Sequence, residues 1–212
     1  MQFRYLNEVS IPIEKGNVFG ILAVPKDAKA IIIFSHGSGS SRLSTRNQIV
    51  AKYLHEHNFG TLLFDLLSEE EDQVYKNRFD INLLATRLVR ATEWISNHAS
   101  CKNCKIGYFG ASTGASSAIK AAIINHNISA IVSRGGRPDL ALHSLPFLKA
   151  PTLLIVGGLD KEVIQLNKFA YNQINCSKDL QIVEGATHLF EEEGKMDIVC
   201  KLATNWFTEY LL

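Results

Sequence analysis

A serine lies between two glycines in the pentapeptide Gly110-Ala111-Ser112-Thr113-Gly114, a spacing that suits nucleophilic catalysis. An apolar segment with strand character precedes it at residues 105–109, and small helix-forming residues follow it. In this strand–turn–helix context, G-x-S-x-G predicts a nucleophile elbow, a tight turn that presents the serine hydroxyl at the carboxyl end of the strand. Bulk at either flanking position would clash within the turn, which accounts for Gly110 and Gly114.

Two later apolar segments each end close to a side chain that could activate the serine. A serine hydroxyl is a weak nucleophile at neutral pH and needs a general base and a group that orients this base. Asp160 follows the apolar segment 152–156 and two glycines, and His188 follows the apolar segment 180–183. About 28 residues separate them, which is enough for one helix and one strand, so both can lie at adjacent strand ends. The chain order Ser, Asp, His therefore predicts the triad Ser112–Asp160–His188.

The acid and the base each have a simpler interpretation. Asp160 could be the N-cap of a helix that begins at Lys161, because Asp is a preferred N-cap residue. His188 could be an ordinary loop histidine, and His36, which ends a strand, is interpreted as structural. Of the seven histidines, only His188 follows both the serine and the acid, which favours it as the base.

Acyl transfer also requires hydrogen-bond donors for the developing oxyanion. The geometry of an elbow makes the backbone N–H of Thr113 one donor. The glycine-rich loop at residues 35–41 should supply the second, which we assign to the N–H of Ser38, with Gly39 as the alternative. The same loop could cradle a phosphate, but it lacks the lysine and the spacing of a P-loop.

The elements that must position these groups alternate along the chain. Two leading strands, joined through residues 14–17, predict a hairpin, and the remainder reads βαβα, which predicts a mostly parallel sheet of about seven to eight strands with helices on both faces. We expect one α/β domain over residues 1–212. The acidic run 68–72 is interpreted as a solvated loop, with a place at the rim of the site as the alternative. The predicted strands are 7–12, 18–24, 31–35, 61–65, 105–109, 130–133, 152–156 and 180–183, and the predicted helices are 46–57, 81–97, 113–125, 161–173 and 195–211.

The composition is that of an ordinary soluble domain, with 46% hydrophobic residues, 20% charged residues and a net charge of +1. This charge gives no reason to expect nucleic acid or an anionic membrane as a partner. The start of the chain lacks the apolar core of a signal peptide and no apolar run is long enough to span a bilayer, so we expect a cytoplasmic protein. The expected oligomeric state is a monomer or a homodimer. Cys101 and Cys104 have redox spacing, but they precede the strand that feeds the elbow and are interpreted as incidental loop cysteines, with a redox or metal role as the alternative.

These features resemble the α/β-hydrolase superfamily, in particular its compact dienelactone-hydrolase-like branch. The resemblance covers nearly the whole chain and implies an α/β-hydrolase fold and an acyl-transfer site. Dienelactone hydrolase itself uses a cysteine nucleophile, whereas this sequence has Ser112, which favours ester or thioester hydrolysis through an acyl-serine. Small hydrolases with these motifs are sometimes fused to a phosphoribosyltransferase domain, for which these 212 residues leave no room. The segments that carry the resemblance are residues 36–42, 62–67, 107–114, 133–139 and 185–190.

The segment after the predicted sixth strand bears on the substrate. Only about 17 residues, 134–150, separate two strands there, which predicts no lid domain and favours small soluble substrates. Arg134 follows the sixth strand, and its guanidinium could bind a carboxylate or phosphate on the substrate. Arg42, which follows the oxyanion loop, or Arg46 is a weaker candidate for the same role, and Gly39 is a further candidate contact. Alternatively, Arg134 and Arg137 pair with Asp139 and only shape the loop.

The sequence therefore predicts a serine hydrolase for a small-molecule ester or thioester, without metal or organic cofactor. An acyltransferase on the same triad is one alternative, since another acceptor could replace water. A non-catalytic ligand-binding protein on a hydrolase fold is the other, because a fold does not fix a function.

Overall fold

Eight strands form one sheet in the computed structural model, which describes all 212 residues. Strands β3 to β8 are short and, with the exception of β8, almost fully buried, as expected for strands covered on both faces. The strands are β1 (Phe3–Pro12), β2 (Asn17–Pro25), β3 (Ala30–Ser35), β4 (Phe59–Phe64), β5 (Lys105–Ala111), β6 (Ile128–Arg134), β7 (Thr152–Gly157) and β8 (Lys178–Val183).

The order of the strands across the sheet is β1-β2-β4-β3-β5-β6-β7-β8. The predicted hairpin is confirmed, because β1 pairs with β2 in an antiparallel register. Strand β2 is also antiparallel to β4, and every later pairing is parallel. The carboxyl ends of β3, β5, β6 and β7 consequently meet at one edge of the sheet, where ligands bind in folds of this class.

Six helices connect the strands and cover the sheet. Residues that alternate along β3 show the two faces, because Ile31 and Ile33 pack with α3, α4 and α5, whereas Ile32 and Phe34 pack with α1 and α6. The helices are α1 (Thr45–Glu56), α2 (Glu69–Asp72), α3 (Ile81–Asn97), α4 (Thr113–Ile124), α5 (Lys161–Gln173) and α6 (Lys195–Leu211). This arrangement is the α/β-hydrolase fold that the sequence predicts. Between β6 and β7 lies only a 3₁₀ segment, Pro138–Phe147, so the fold has no lid domain.

The prediction of a loop over the acidic run is wrong for residues 69–72, which form α2. Ser68 accepts a hydrogen bond from the Glu71 backbone N–H, and the Glu71 carboxylate accepts one from the Ser68 N–H, which together make a capping box. Four acidic residues in one turn are also favoured by the positive end of the helix dipole. The charge run therefore starts a helix rather than remaining irregular.

The cysteine pair lies at the amino end of β5, at the opposite edge of the sheet from Ser112. Cys101 is buried, and burial raises its pKa to about 12, so it remains a protonated thiol at neutral pH. The guanidinium of Arg4 contacts the Cys104 sulfur at 3.3 Å and also binds the Ala28 carbonyl. All four cysteines are free thiols. None of the helices combines the length and apolarity required to cross a membrane.

Candidate active site

Ser112 lies in the turn between β5 and α4, with a backbone φ of 52° and ψ of −123°. A positive φ is strained for a residue other than glycine, and the surrounding glycines make this turn possible. A Cβ on Gly110 would clash with the backbone of Ala115, and a Cβ on Gly114 would overlap the carbonyl oxygens of Ser35 and His36. Because helix α4 and strand β3 come so close to the turn, the serine projects from the carboxyl edge of the sheet.

Asp160 follows β7 and His188 lies in the loop after β8, the last two strands at this end of the sheet. The His188 Nδ1 and an Asp160 carboxylate oxygen are 2.7 Å apart. The other carboxylate oxygen of Asp160 accepts a longer hydrogen bond, 3.4 Å, from the Val163 backbone N–H at the start of α5. Asp160 therefore caps a helix and orients an imidazole at the same time, so the two interpretations of this residue are compatible.

A cleft of about 170 Å³ opens at this edge of the sheet and contains Ser112 and His188 among its walls. This volume is below the range typical of sites for drug-sized ligands, so the cleft has room for a small acyl group. Besides these two, the walls are formed by Gly37, Ser38, Ser40, Ser44, Arg46, Asn47, Ala111, Arg134 and Leu189.

The loop after β3 crosses beside the serine. A Cβ on Gly37 would lie 3.1 Å from the Ser112 Cβ and 3.8 Å from its Oγ. The Ser38 N–H, which sequence reasoning assigns as an oxyanion donor, donates a 2.9 Å hydrogen bond to the Thr113 hydroxyl. Gly39, the alternative donor, has a φ of 70° and lines a neighbouring depression rather than this cleft.

His36 holds this loop in position. Its Nε2 accepts a hydrogen bond from the Leu66 backbone N–H at 3.1 Å, and its Nδ1 lies 2.9 Å from the Gly37 carbonyl oxygen. Since Nε2 accepts, Nδ1 carries the proton and donates it to that carbonyl. Burial lowers the pKa of His36, which keeps the ring neutral in this role. The structural interpretation of His36 agrees with these contacts.

The loop after β6 connects the serine turn to the histidine. The Ser112 N–H donates to the Arg134 carbonyl at 3.2 Å, and the Arg137 N–H donates to the Ser112 carbonyl at 3.1 Å. A Cβ on Gly135 would come within 3.1 Å of the His188 carbonyl oxygen. Residues 134–137 therefore hold the elbow from both sides and also support the histidine.

Two of the arginines considered from the sequence, Arg137 and Arg42, bind carboxylates within the chain. Arg137 forms two hydrogen bonds with the Asp139 carboxylate, at 2.9 and 2.8 Å. Arg42 binds Asp65 through both its backbone N–H, at 2.8 Å, and its guanidinium, at 2.5 Å, and it lies outside the cleft with Ser112. Both guanidinium groups thus have a carboxylate of their own and shape loops.

Arg134 has no carboxylate partner. It is only 6% exposed, it lines the cleft, and its one side-chain hydrogen bond is a 3.4 Å contact with the Asn47 amide oxygen. Its buried Nε has no partner. Burial, together with the neighbouring Arg46 guanidinium, lowers the pKa of Arg134 to about 10, so the group is still a cation at neutral pH.

Sequence reasoning missed Asn47 and gave Arg46 little weight, although both lie in the first turn of α1 and line the cleft. Arg46 forms an ion pair with the exposed Glu191 at 2.7 Å. Polar residues at a helix start are usually caps, and Ser44 fulfils that role here. Only the packing of α1 beside the elbow shows that its first turn faces Ser112.

No model of a known protein family matches the sequence. The chain is similar over its full length to the crystal structure of a dienelactone hydrolase from Anabaena variabilis, with 47% identity, complete coverage of both chains and a TM-score of 0.95. It belongs to the dienelactone hydrolase family. As a member of this family of α/β hydrolases, the chain is a hydrolase.

Other relatives agree on the fold. Est1E from Butyrivibrio proteoclasticus has a TM-score of 0.82 at 14% identity and covers 95% of this chain and 98% of its own. A curated relative from Mycobacterium tuberculosis, named "Putative phosphoribosyl transferase", is 51% identical over 195 residues, which are 92% of this chain and 44% of the relative. The chain spans less than half the length of this relative, so the transferase name describes a longer protein.

Proposed function

We propose that this hydrolase is a serine esterase or thioesterase that acts on a small anionic substrate through an acyl-serine intermediate. The observation that carries the proposal is the shared cleft: Ser112, in a strained turn, opens into the same small space as His188, whose Nδ1 is bound to Asp160 at 2.7 Å. A carboxylate on Nδ1 fixes the tautomer that leaves Nε2 free to accept a proton.

The proposed reaction has two half-reactions. In the first, the Ser112 Oγ–H proton moves to His188 Nε2 while Oγ bonds to the acyl carbon and the carbonyl π electrons move to the oxygen. Collapse of this tetrahedral intermediate expels the alcohol or thiol, which takes the proton from His188. In the second, water loses a proton to His188 and attacks the acyl-serine; when this tetrahedral intermediate collapses, His188 gives the proton to the departing Ser112 Oγ and the acid is released.

An anionic group on the substrate is supported by Arg134. A buried cation without a counter-ion is costly, since the desolvation of a charge amounts to several kcal/mol. The guanidinium lies in the same cleft as Ser112 and has one weak partner, Asn47. A carboxylate or phosphate on the substrate would supply the missing negative charge, and the planar fork of arginine binds either group with two hydrogen bonds. The small cleft favours a short acid such as a dicarboxylic half-ester.

A fluorophosphonate probe followed by intact-mass measurement tests the nucleophile. We expect one adduct on the wild-type chain, none on Ser112→Ala, and one on the control Ser10→Ala, which alters an exposed serine of β1. A wild-type chain that is not labelled, or a labelled Ser112→Ala chain, would overturn the assignment.

A pair of esters of matched shape tests the substrate class. We expect mono-4-nitrophenyl glutarate to be hydrolysed with a higher kcat/KM than 4-nitrophenyl pentanoate, because only the first has a terminal carboxylate for Arg134. Equal kcat/KM values would contradict the anionic substrate. The same assays with added alcohols or thiols separate hydrolysis from acyl transfer, since a transferase would give the exchanged ester instead of the free acid.

A further inference from the structure

The hydroxyl of Thr113 has an unusual hydrogen-bonding state for a helical threonine. Three threonines within helices, Thr86, Thr92 and Thr208, donate their hydroxyl proton to the carbonyl four residues earlier, at 2.7 to 3.0 Å. Thr113 is the first residue of α4, so no preceding helical turn supplies such a carbonyl. Its oxygen accepts from the Ser38 N–H at 2.9 Å, and its own proton has no acceptor.

The Thr113 hydroxyl accepts the hydrogen bond of the Ser38 N–H, the donor that the sequence assigns to the oxyanion. The Ser38 N–H points at the Thr113 oxygen, although it belongs to the loop whose Gly37 passes beside the Ser112 side chain. Thr113 is 5% exposed and follows the nucleophile directly, and its hydroxyl contacts the backbone of Ser38, which lines the cleft with Ser112. A hydroxyl whose oxygen already accepts a hydrogen bond is polarised and becomes a stronger donor.

We propose that the side-chain hydroxyl of Thr113 is a catalytic oxyanion donor, which acts together with the Thr113 backbone N–H. The Ser38 N–H donates a hydrogen bond to the oxygen of this hydroxyl and so orients it. This inference rests on the proposed serine mechanism. It replaces the backbone N–H of Ser38 as the direct second donor. The backbone N–H of Thr113 remains available, since the first N–H groups of a helix have no intrahelical acceptor, and the helix dipole adds to its attraction for negative charge.

The hydroxyl proton is not transferred in this scheme. When the Ser112 Oγ bonds to the acyl carbon, the carbonyl π electrons move to the oxygen, and the Thr113 O–H donates a hydrogen bond to that oxyanion. The proton from Ser112 goes to His188, and collapse of the intermediate restores the carbonyl. The donor matters most in the tetrahedral state, so its loss should lower kcat more than it raises KM.

Thr113→Val is the direct test, because valine keeps the shape of threonine and removes only the hydroxyl. The loss of one oxyanion donor predicts a fall in kcat of about 100-fold, with KM changed by about twofold at most. Thr113→Ser keeps the hydroxyl and should recover most of that loss. The control is Thr204→Val in α6, which removes a buried hydroxyl without a partner outside the cleft, and kcat should stay at the wild-type value.

The opposite result is equally informative. If the Ser38 N–H is the direct donor, Thr113→Val frees it from its present acceptor and kcat stays equal or rises, which would overturn the inference. Thermal unfolding of each variant shows whether it is folded, and Thr113→Ala replaces Thr113→Val if valine does not fit. Labelling of wild-type Ser112 by the fluorophosphonate, with unchanged kcat in the folded variant, would refute the role of Thr113 alone. Absence of labelling in the wild type would refute the serine mechanism itself.

Discussion

Two buried arginines of this protein, Arg87 in α3 and Arg134 at the end of β6, have opposite surroundings. Their exposed fractions are similar, 4% for the Arg87 side chain and 6% for Arg134. Arg87 forms ion pairs with Glu14 in the β1–β2 hairpin and with Glu71 in α2, whereas Arg134 contacts only the amide of Asn47 and has Arg46 as a neighbour.

This difference supports the proposal that Arg134 binds substrate, whereas Arg87 stabilises the fold. Three segments that are distant in the sequence are held together by Arg87, and each of its carboxylates offsets part of the cost of burying the cation. Arg134 has no such compensation within the chain, so folding alone does not account for it. Strained and poorly satisfied groups tend to cluster at functional sites, and Arg134 lies in the same cleft as Ser112.

The largest expected effect comes from Arg134→Met, which keeps an unbranched apolar stem and removes the charged guanidinium. Hydrogen bonds to a charged group contribute about 1.5–3 kcal/mol, so kcat/KM for mono-4-nitrophenyl glutarate should fall by about 100-fold. The kcat/KM for 4-nitrophenyl pentanoate should stay near the wild-type value. Urea unfolding should show equal or greater stability, because an unpaired buried charge is removed. Equal losses for both esters, or a clear loss of stability, would make Arg134 structural like Arg87.

Arg87→Met should lower the stability of the fold and leave the preference between the two esters unchanged. Removal of the cation leaves Glu71 without its partner and Glu14 with only a 3.5 Å contact to Arg90, and we expect the free energy of unfolding to fall by about 2 kcal/mol, less than for a fully buried pair because Glu14 is half exposed. The ratio of kcat/KM between the two esters should be unchanged in the folded variant. The measurement is urea unfolding, with Lys52→Met as control, because Lys52 is an exposed cation of α1 outside these ion pairs. A change in the ester ratio would contradict the separation of roles.

Glu191→Gln tests whether the charge of Arg46 also contributes to binding of the anionic ester. Arg46 borders the cleft, and the Glu191 carboxylate now neutralises it at 2.7 Å. An amide at position 191 frees the positive charge of Arg46, which should lower the KM for the anionic ester by about threefold, in the range expected for a half-exposed ion pair. The KM for the neutral ester is the internal control. A higher KM for the anionic ester would show that Glu191 orders Arg46 rather than competing with the substrate.

The smallest effect is expected from pH. Burial and Arg46 lower the pKa of Arg134 to about 10, so the group is charged below this pH and loses its charge as the pH rises through it. The ratio of kcat/KM between the anionic and the neutral ester should be constant from about pH 7 to pH 9 and about halved at pH 10. Arg134→Met should give a ratio that does not change over the same interval. A wild-type ratio that remains constant to pH 10 would contradict this cause of the preference.

The backbone positions of the candidate site follow closely from the sequence. Ser112 between its glycines, with a strand before it and a helix after it, predicts an elbow, because this turn tolerates little else at its flanks. Asp160 and His188 follow from chain order, since a parallel sheet brings successive strand ends to one edge. The structure of the acidic run at 68–72 was harder to predict. Its charges suggest a solvated loop, but the capping box formed by Ser68 and Glu71 starts a short helix.

Side-chain partners followed from the sequence only in part. The pairing of Arg137 with Asp139 is among the expectations, but that Arg42 meets Asp65 while Arg134 meets no carboxylate depends on which acids lie within reach in the fold. The Ser38 N–H is a backbone donor at the expected place, yet its present acceptor is the Thr113 hydroxyl, a contact between residues 75 positions apart.

The order of apolar segments and turn residues in the sequence thus determined the α/β-hydrolase fold and the edge at which Ser112, Asp160 and His188 lie, because strand pairing and turn geometry depend on local residue types. Only the tertiary structure decided which cation has no carboxylate partner in the cleft and which hydroxyl contacts the loop after β3. Both depend on distances of a few ångströms between side chains on separate elements, and packing of the whole chain sets those distances.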